Sequence, residues 1–211
     1  MVAMNNKDLC IIFVEGDAEE ILFNKLKQIY LSEGCRCDIK VINMNTGGYA
    51  NQVAGKLRGL RQNDKYKDCN FKVVCCEYDT DVYEKLQRKK PNWTSLYKSW
   101  KKFHIEQCIR IEAKSSIESW MLDDKDNLIK ALGLNISGEE LKNLSKGKTS
   151  QEVVKALFKK RNKIYDKYKG KHNILPYLDK LNISKIRDRR ESELFELEAL
   201  IGLKEPQSTN T

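Results

Sequence analysis

The 211-residue sequence predicts an α/β fold: a mostly parallel four-stranded sheet flanked by helices, with an α-helical C-terminal extension. Two near-continuous apolar runs, LCIIFV at 9–14 and FKVVCC at 71–76, read as strands buried on both faces, which is how parallel sheets are written. Segments with apolar residues at helical spacing separate the strands, and right-handed crossovers join such an alternation into one sheet. From Ser115 onward the pattern is helical.

Taken in order, Asp8 to Val14 is the first strand, and Ala18 to about Ser32 is an amphipathic helix with Ile21, Leu22, Leu26 and Ile29 on one face. Arg36 to Asn43 alternates in part and is the second strand. A Thr46-Gly47-Gly48 turn leads to a helix from about Ala50 to Arg61 bearing Val53, Leu57 and Leu60. Phe71 to Glu77 is the third strand, closed by an Asp79-Thr80-Asp81 turn. A short helix is expected next, interrupted at Pro91, and then a helix from Asn92 to Phe103 that buries Trp93, Leu96, Tyr97 and Trp100. Gln107 to Glu112 is the fourth strand. Ser115 or Ser116 caps a helix over Ile117 to Leu122, and Asp123 and Asp124 begin the next. Ser137 with Glu140 makes a capping box, and Thr149 with Glu152 makes another at the head of a helix reaching about Tyr168. The loop at Asn143 to Lys148 is the expected hinge, and a last helix spans Glu193 to Ile201. Residues 1–124 are expected to form the α/β domain and residues 125–211 a basic helical extension.

Composition narrows the function classes. Hydrophobic residues make up 40% and charged residues 33%, as in a globular chain and not a disordered one. No apolar run approaches the roughly 20 residues that cross a bilayer, so no membrane partner is expected. Asn5, Asn6, Lys7 and Asp8 break the N-terminus before any leader-length apolar region. Of seven cysteines, Cys10, Cys75 and Cys76 fall in core strands, and Cys35 and Cys37 lack a second pair at zinc spacing. An odd number of thiols with buried members suits a reducing cytoplasm.

The net charge of +9 is unevenly spread. Residues 1–82 hold 11 basic and 12 acidic side chains, residues 83–110 hold 8 and 2, and residues 142–171 hold 11 and 2. An acidic site followed by basic surface suits a polyanion such as DNA or RNA, with Lys159, Lys160 and Arg161 as candidate phosphate contacts. The same lysines also suit an ordinary solvated helix face.

The acidic site itself comes from two clusters, FVEGDAEE after the first strand and CCEYDTD after the third. Parallel strands bring Glu15, Asp79 and Asp81 out together at the carboxyl edge, where ligands bind in open α/β sheets. Three carboxylates there suit Mg²⁺ or Mn²⁺, which take oxygen donors and keep several waters. Each motif alone also fits a plain turn. No Walker or Gly-x-Gly-x-x-Gly spacing is present, so any ATPase would be a separate chain.

Strand-Glu15-Gly16-x-x-Glu19, the Gly47-Gly48 pair, strand-Asp79-x-Asp81 and Ser116-Ile117-Glu118-Ser119-Trp120-Met121-Leu122 together resemble the TOPRIM fold of topoisomerases, primases and OLD-type nucleases. More closely, they resemble the small stand-alone, RloB-like TOPRIM proteins of bacterial mobile-element and defence loci. The likeness runs from about residue 8 to 124; Asp17 and Ala18 depart from it, since relatives often carry a Thr before the second acid. It implies a Rossmann-like sheet and Mg²⁺- or Mn²⁺-dependent hydrolysis of phosphodiesters in DNA or RNA. It also implies Glu15 as general base, with Asp79 and Asp81 as metal ligands. Glu19 and Glu118 are candidates for a second metal, and Lys114 or Lys148 for the charge developing on phosphate. Glu19 also fits as a favourable charge in a first helical turn, and Glu118 as the polar side of an amphipathic segment whose Trp120, Met121 and Leu122 are core. The alternative reading is a non-catalytic subunit that binds nucleic acid or a partner. A homo-oligomer is compatible with the apolar segments at 93–103 and 193–201.

Overall fold

The computed structural model describes residues 7–45, 49–77, 92–112, 116–166 and 171–205. Its strands are β1 (Asp8–Val14), β2 (Asp38–Asn43), β3 (Asn70–Glu77) and β4 (Ile105–Glu112). Helix α1 (Asp17–Ser32) joins β1 to β2, α2 (Tyr49–Arg61) lies between β2 and β3, and α3 (Trp93–Trp100) precedes β4. Seven further helices follow among the described residues: α4 (Ile117–Asp123), α5 (Lys125–Ala131), α6 (Gly138–Ser145), α7 (Ser150–Lys160), α8 (Lys171–Leu178), α9 (Ile183–Arg189) and α10 (Glu191–Leu200). Among the described residues, no helix is long and apolar enough to cross a membrane. The Thr46-Gly47-Gly48 turn, the Asp79-Thr80-Asp81 turn and the short helix expected before Pro91 lie outside the described residues.

All four strands are parallel, in the order β2-β1-β3-β4. The chain steps one way from β1 to β2 and the other way from β2, past β1, to β3. Crossovers of a single hand then put the first connecting helix on one face and the later ones on the opposite face. That is the arrangement found: α1 packs with Cys10, Ile12 and Val74, while Val53 and Leu57 of α2 and Trp100 of α3 pack with Leu9, Ile11 and Val73.

A lone helix cannot cover its face of four strands. Helices α4 to α10 complete that layer, and Trp120, Leu157, Ile174, Ile186 and Leu197 share one core with α1 and the sheet. Residues on both sides of position 124 thus belong to the same core. Ion pairs at its margin hold the helices in place. Asp124, 1% exposed, accepts from the Asn182 backbone N–H at 2.8 Å, from Lys185 at 2.9 Å and from Asn127 at 2.8 Å. Burial pushes this carboxyl up, but those hydrogen bonds outweigh it and hold it below the usual carboxylate range. Arg187 bridges Glu33 and Glu198, at 2.5 and 2.6 Å.

On the opposite face Arg61 closes the amino edge of the sheet. Its guanidinium donates to the carbonyls of Phe103 (2.9 Å), Lys67 (2.9 Å), Cys69 (2.8 Å) and His104 (3.0 Å), and lies 3.6 Å from the centre of the Phe71 ring. This planar fork satisfies four carbonyls that the loops leave over.

Some local expectations need correcting. The helix opened by Thr149, whose capping box with Glu152 is complete, ends at Lys160 and not near Tyr168. Asn162 takes a left-handed φ of 56° and Lys163 N–H closes back on Phe158, which turns the chain so that Tyr165 is buried. Only half of the Ser137 box forms, because Glu140 turns to Lys160 at 2.7 Å. Ser116 stands at the head of α4 without a side-chain cap. The expected hinge at 143–148 is helical as far as Ser145.

Candidate metal and nucleic-acid site

The chain reverses its stepping direction between β1 and β3, and the crevice outside their carboxyl ends is the general ligand position in open α/β sheets. These ends are neighbours, with Phe13 opposite Cys75 in the ladder. Glu15, half-buried, is the first residue beyond β1. Gly16 follows in extended conformation and caps α1, whose first turn carries Asp17, Glu19 and Glu20. Asp79 and Asp81 fall just beyond the end of β3 in sequence, but they and Lys114 lie outside the described residues.

The acids of the α1 first turn have different surroundings. Asp17 accepts from Asn43 at 3.0 Å and from the backbone N–H of Lys171 at 3.0 Å. Glu20 accepts from the same Asn43 at 3.1 Å and from the Lys171 ammonium at 2.8 Å. These two therefore tie the start of α1 to the end of β2 and the start of α8. Glu19 turns inward and is completely buried. Phe23, one turn further along α1, lies 6.0 Å from Trp120 of α4, centroid to centroid. The inward side of α1 thus faces α4.

Glu118, in the first turn of α4, is also completely buried. The Tyr165 hydroxyl donates to its Oε1 at 3.0 Å, while its Oε2 accepts no hydrogen bond among the described residues. Leaving such an oxygen unpartnered costs about 1–3 kcal/mol, a cost that a bound cation would offset. Tyr165 packs on Phe158 at 5.2 Å, and this connects Glu118 to the carboxyl end of α7. Lys159, Lys160 and Arg161 cluster there, all exposed, and Lys160 is paired with Glu140. Lys148 is exposed in the turn before α7.

Carboxylate oxygens of this kind fit a hard divalent cation such as Mg²⁺ or Mn²⁺. Glu15, Glu19 and Glu118 are the described donors in question; among the described residues, no group of three or more His, Cys, Asp or Glu side chains is close enough together to hold a metal ion. Sequence reasoning missed Tyr165, Asn43 and Lys171. Tyr165 was hidden inside an expected helix, and an Asn at a strand end or a Lys in a basic stretch carries no distinguishing pattern. No protein-family model, curated protein or solved structure matches this chain.

Proposed function

We propose that the protein is a cytoplasmic, Mg²⁺- or Mn²⁺-dependent nuclease of the TOPRIM type, cutting phosphodiester bonds in DNA or RNA as an effector of a mobile-element or anti-phage system. The observation that carries the reading is the pair of fully buried carboxylates, Glu19 and Glu118, in the first turns of α1 and α4, with Glu15 at the switch point one helical turn before Glu19 in the chain. Buried carboxylates are costly, and one left half-satisfied suits a function better than stability.

In this reading Glu15, Asp79 and Asp81 hold one cation and Glu19 with Glu118 a second. A divalent cation held by these carboxylates would supply Lewis-acid chemistry, polarising a phosphoryl oxygen and stabilising the leaving alkoxide. Glu15 takes the proton of the attacking water. Tyr165 fixes one oxygen of Glu118 and leaves the other to face its ligand. Lys148, Lys159 and Arg161 hold backbone phosphates without reading bases, and Lys114 neutralises charge near the scissile group.

The test is incubation of the purified chain with plasmid, single-stranded DNA and tRNA in Mg²⁺ or Mn²⁺, against an Asp79→Ala/Asp81→Ala variant and an EDTA control. Degradation lost in both controls is the expected result and names the substrate class. Undiminished cleavage by the variant would remove the site. Metal binding without cleavage would favour the non-catalytic subunit.

A further inference from the structure

Strand β4 is an edge of the sheet, with β3 as its partner among the described residues. Natural edges are commonly short, capped or covered, because alternate residues present unpaired N–H and C=O groups outward. β4 spans eight residues, and a register shift that disturbs its pairing is confined to its start, leaving Gln107 to Glu112 in regular register with β3. Its outer side opens into a groove of about 800 Å³. One wall is α3, with Trp93, Thr94 and Tyr97; the other is α10, with Glu193 and Glu196.

Two features define what fits there. A groove floored by a strand and walled by a helix on either side has the shape for one more extended segment, whose main chain continues the ladder and whose side chains alternate between the walls. Among the described residues that line the groove, Glu112, Glu193 and Glu196 stand against Arg110; Glu193 is held by the Arg190 guanidinium at 2.9 Å and by the Trp120 indole N–H at 3.1 Å, which leaves the exposed Glu196 as the acid facing the groove. Arg110 is already engaged with Glu112 and lies 5.4 Å from the centre of the Trp93 ring. Glu196 gives the α10 wall an anionic group that favours a cationic side chain over a phosphate.

We propose that this groove docks an extended basic segment of a partner protein as a fifth strand beside β4, with apolar side chains against Trp93 and Tyr97 and lysines or arginines toward Glu196. The site is separate from the basic surface at the end of α7. Its occupation does not depend on the nuclease reading.

The experiment is fluorescence anisotropy on the full chain with a labelled peptide of about ten residues that alternates lysine and valine, a length typical of one strand. A Glu/Val peptide of equal length and a Lys/Val peptide with two valines changed to proline are the comparisons. The Lys/Val peptide should bind at least about tenfold more tightly than either, since like charge and a missing N–H each oppose docking. Glu196→Lys should weaken it by about fivefold or more while leaving the thermal midpoint unchanged, a change of roughly 1 kcal/mol in binding. Equal binding of the proline peptide would overturn strand addition, and indifference to Glu196→Lys would assign the binding to another surface. A chain that is already dimeric by light scattering, and that binds no peptide, would give the edge to a second copy and overturn the proposal.

Discussion

Removing Glu118 together with Tyr165 should make the metal-free protein more stable. The carboxylate is fully buried, holds one hydrogen bond from Tyr165 and has an oxygen without a partner among the described residues. Replacing a buried charge and its partner by apolar groups of similar size is often stabilising by about 1–4 kcal/mol. For a chain of this length each kcal/mol moves the midpoint by about 2–4 °C, so Glu118→Leu/Tyr165→Phe should melt roughly 2–16 °C higher in EDTA. Tyr165→Phe alone should fall by about 2–3 kcal/mol, because it strips a buried carboxylate of its donor. Adding Mn²⁺ to 100 times its Kd should then return about 2.7 kcal/mol to the wild type and little to the double variant. The assay is thermal or urea unfolding of the three proteins with and without Mn²⁺. A double variant less stable by about 3 kcal/mol or more in EDTA would make the pair a structural element and defeat the argument that it is kept for a ligand.

Other consequences are equally direct. Arg61→Ala should lose about 2–4 kcal/mol in urea unfolding, and Arg61→Lys should recover less than half, because an ammonium cannot fork to four carbonyls; a loss below about 1 kcal/mol would show that the loops find water instead. Asp124 has a folded pKa below its unfolded value of about 4, so its stabilisation is present above that pH and disappears as pH falls through the folded value. Asp124→Asn should therefore lower stability at neutral pH and flatten the acid limb below about pH 4, and an unchanged acid limb would contradict the assignment. In nucleic-acid binding, Lys159→Ala and Arg161→Ala should each reduce the salt slope by about 1, with a smaller change for Lys160→Ala, which already serves Glu140; equal slopes for all three would return the cluster to an ordinary solvated surface.

The strands were legible because a parallel sheet buries both faces and so writes itself in apolar residues. Residues 8–14 and 71–77 needed no other signal, and β4 began two residues earlier than its periodicity suggests, where the register shift interrupts the alternation. Helices were legible where a cap announced them, as at Thr149, or where one face was clearly apolar, as in α1. Helix α8 was not, since Pro176 inside it reads as a break and its start is fixed by a carboxylate 154 residues away in sequence. Of the candidate site, the strand-end position of Glu15 followed from the sheet rule alone. What set Glu20 apart from Glu19 was tertiary: Asn43 and Lys171 claim the first, and the core encloses the second. Two adjacent glutamates in one helical turn do not record that difference.

The sharing of one core between α1 and the last helices also governs how the chain is made. The Arg36 backbone N–H donates to the Ile201 carbonyl at 2.9 Å, Lys72 reaches the Leu200 carbonyl at 3.3 Å, and α10 packs on β4. A nascent chain that has completed its sheet at Glu112 still has an apolar face waiting for residues up to Ile201. At about 5–20 residues per second of synthesis, that face stays open for on the order of 5–20 s, and ribosome-bound chains of intermediate length are the ones most in need of a chaperone.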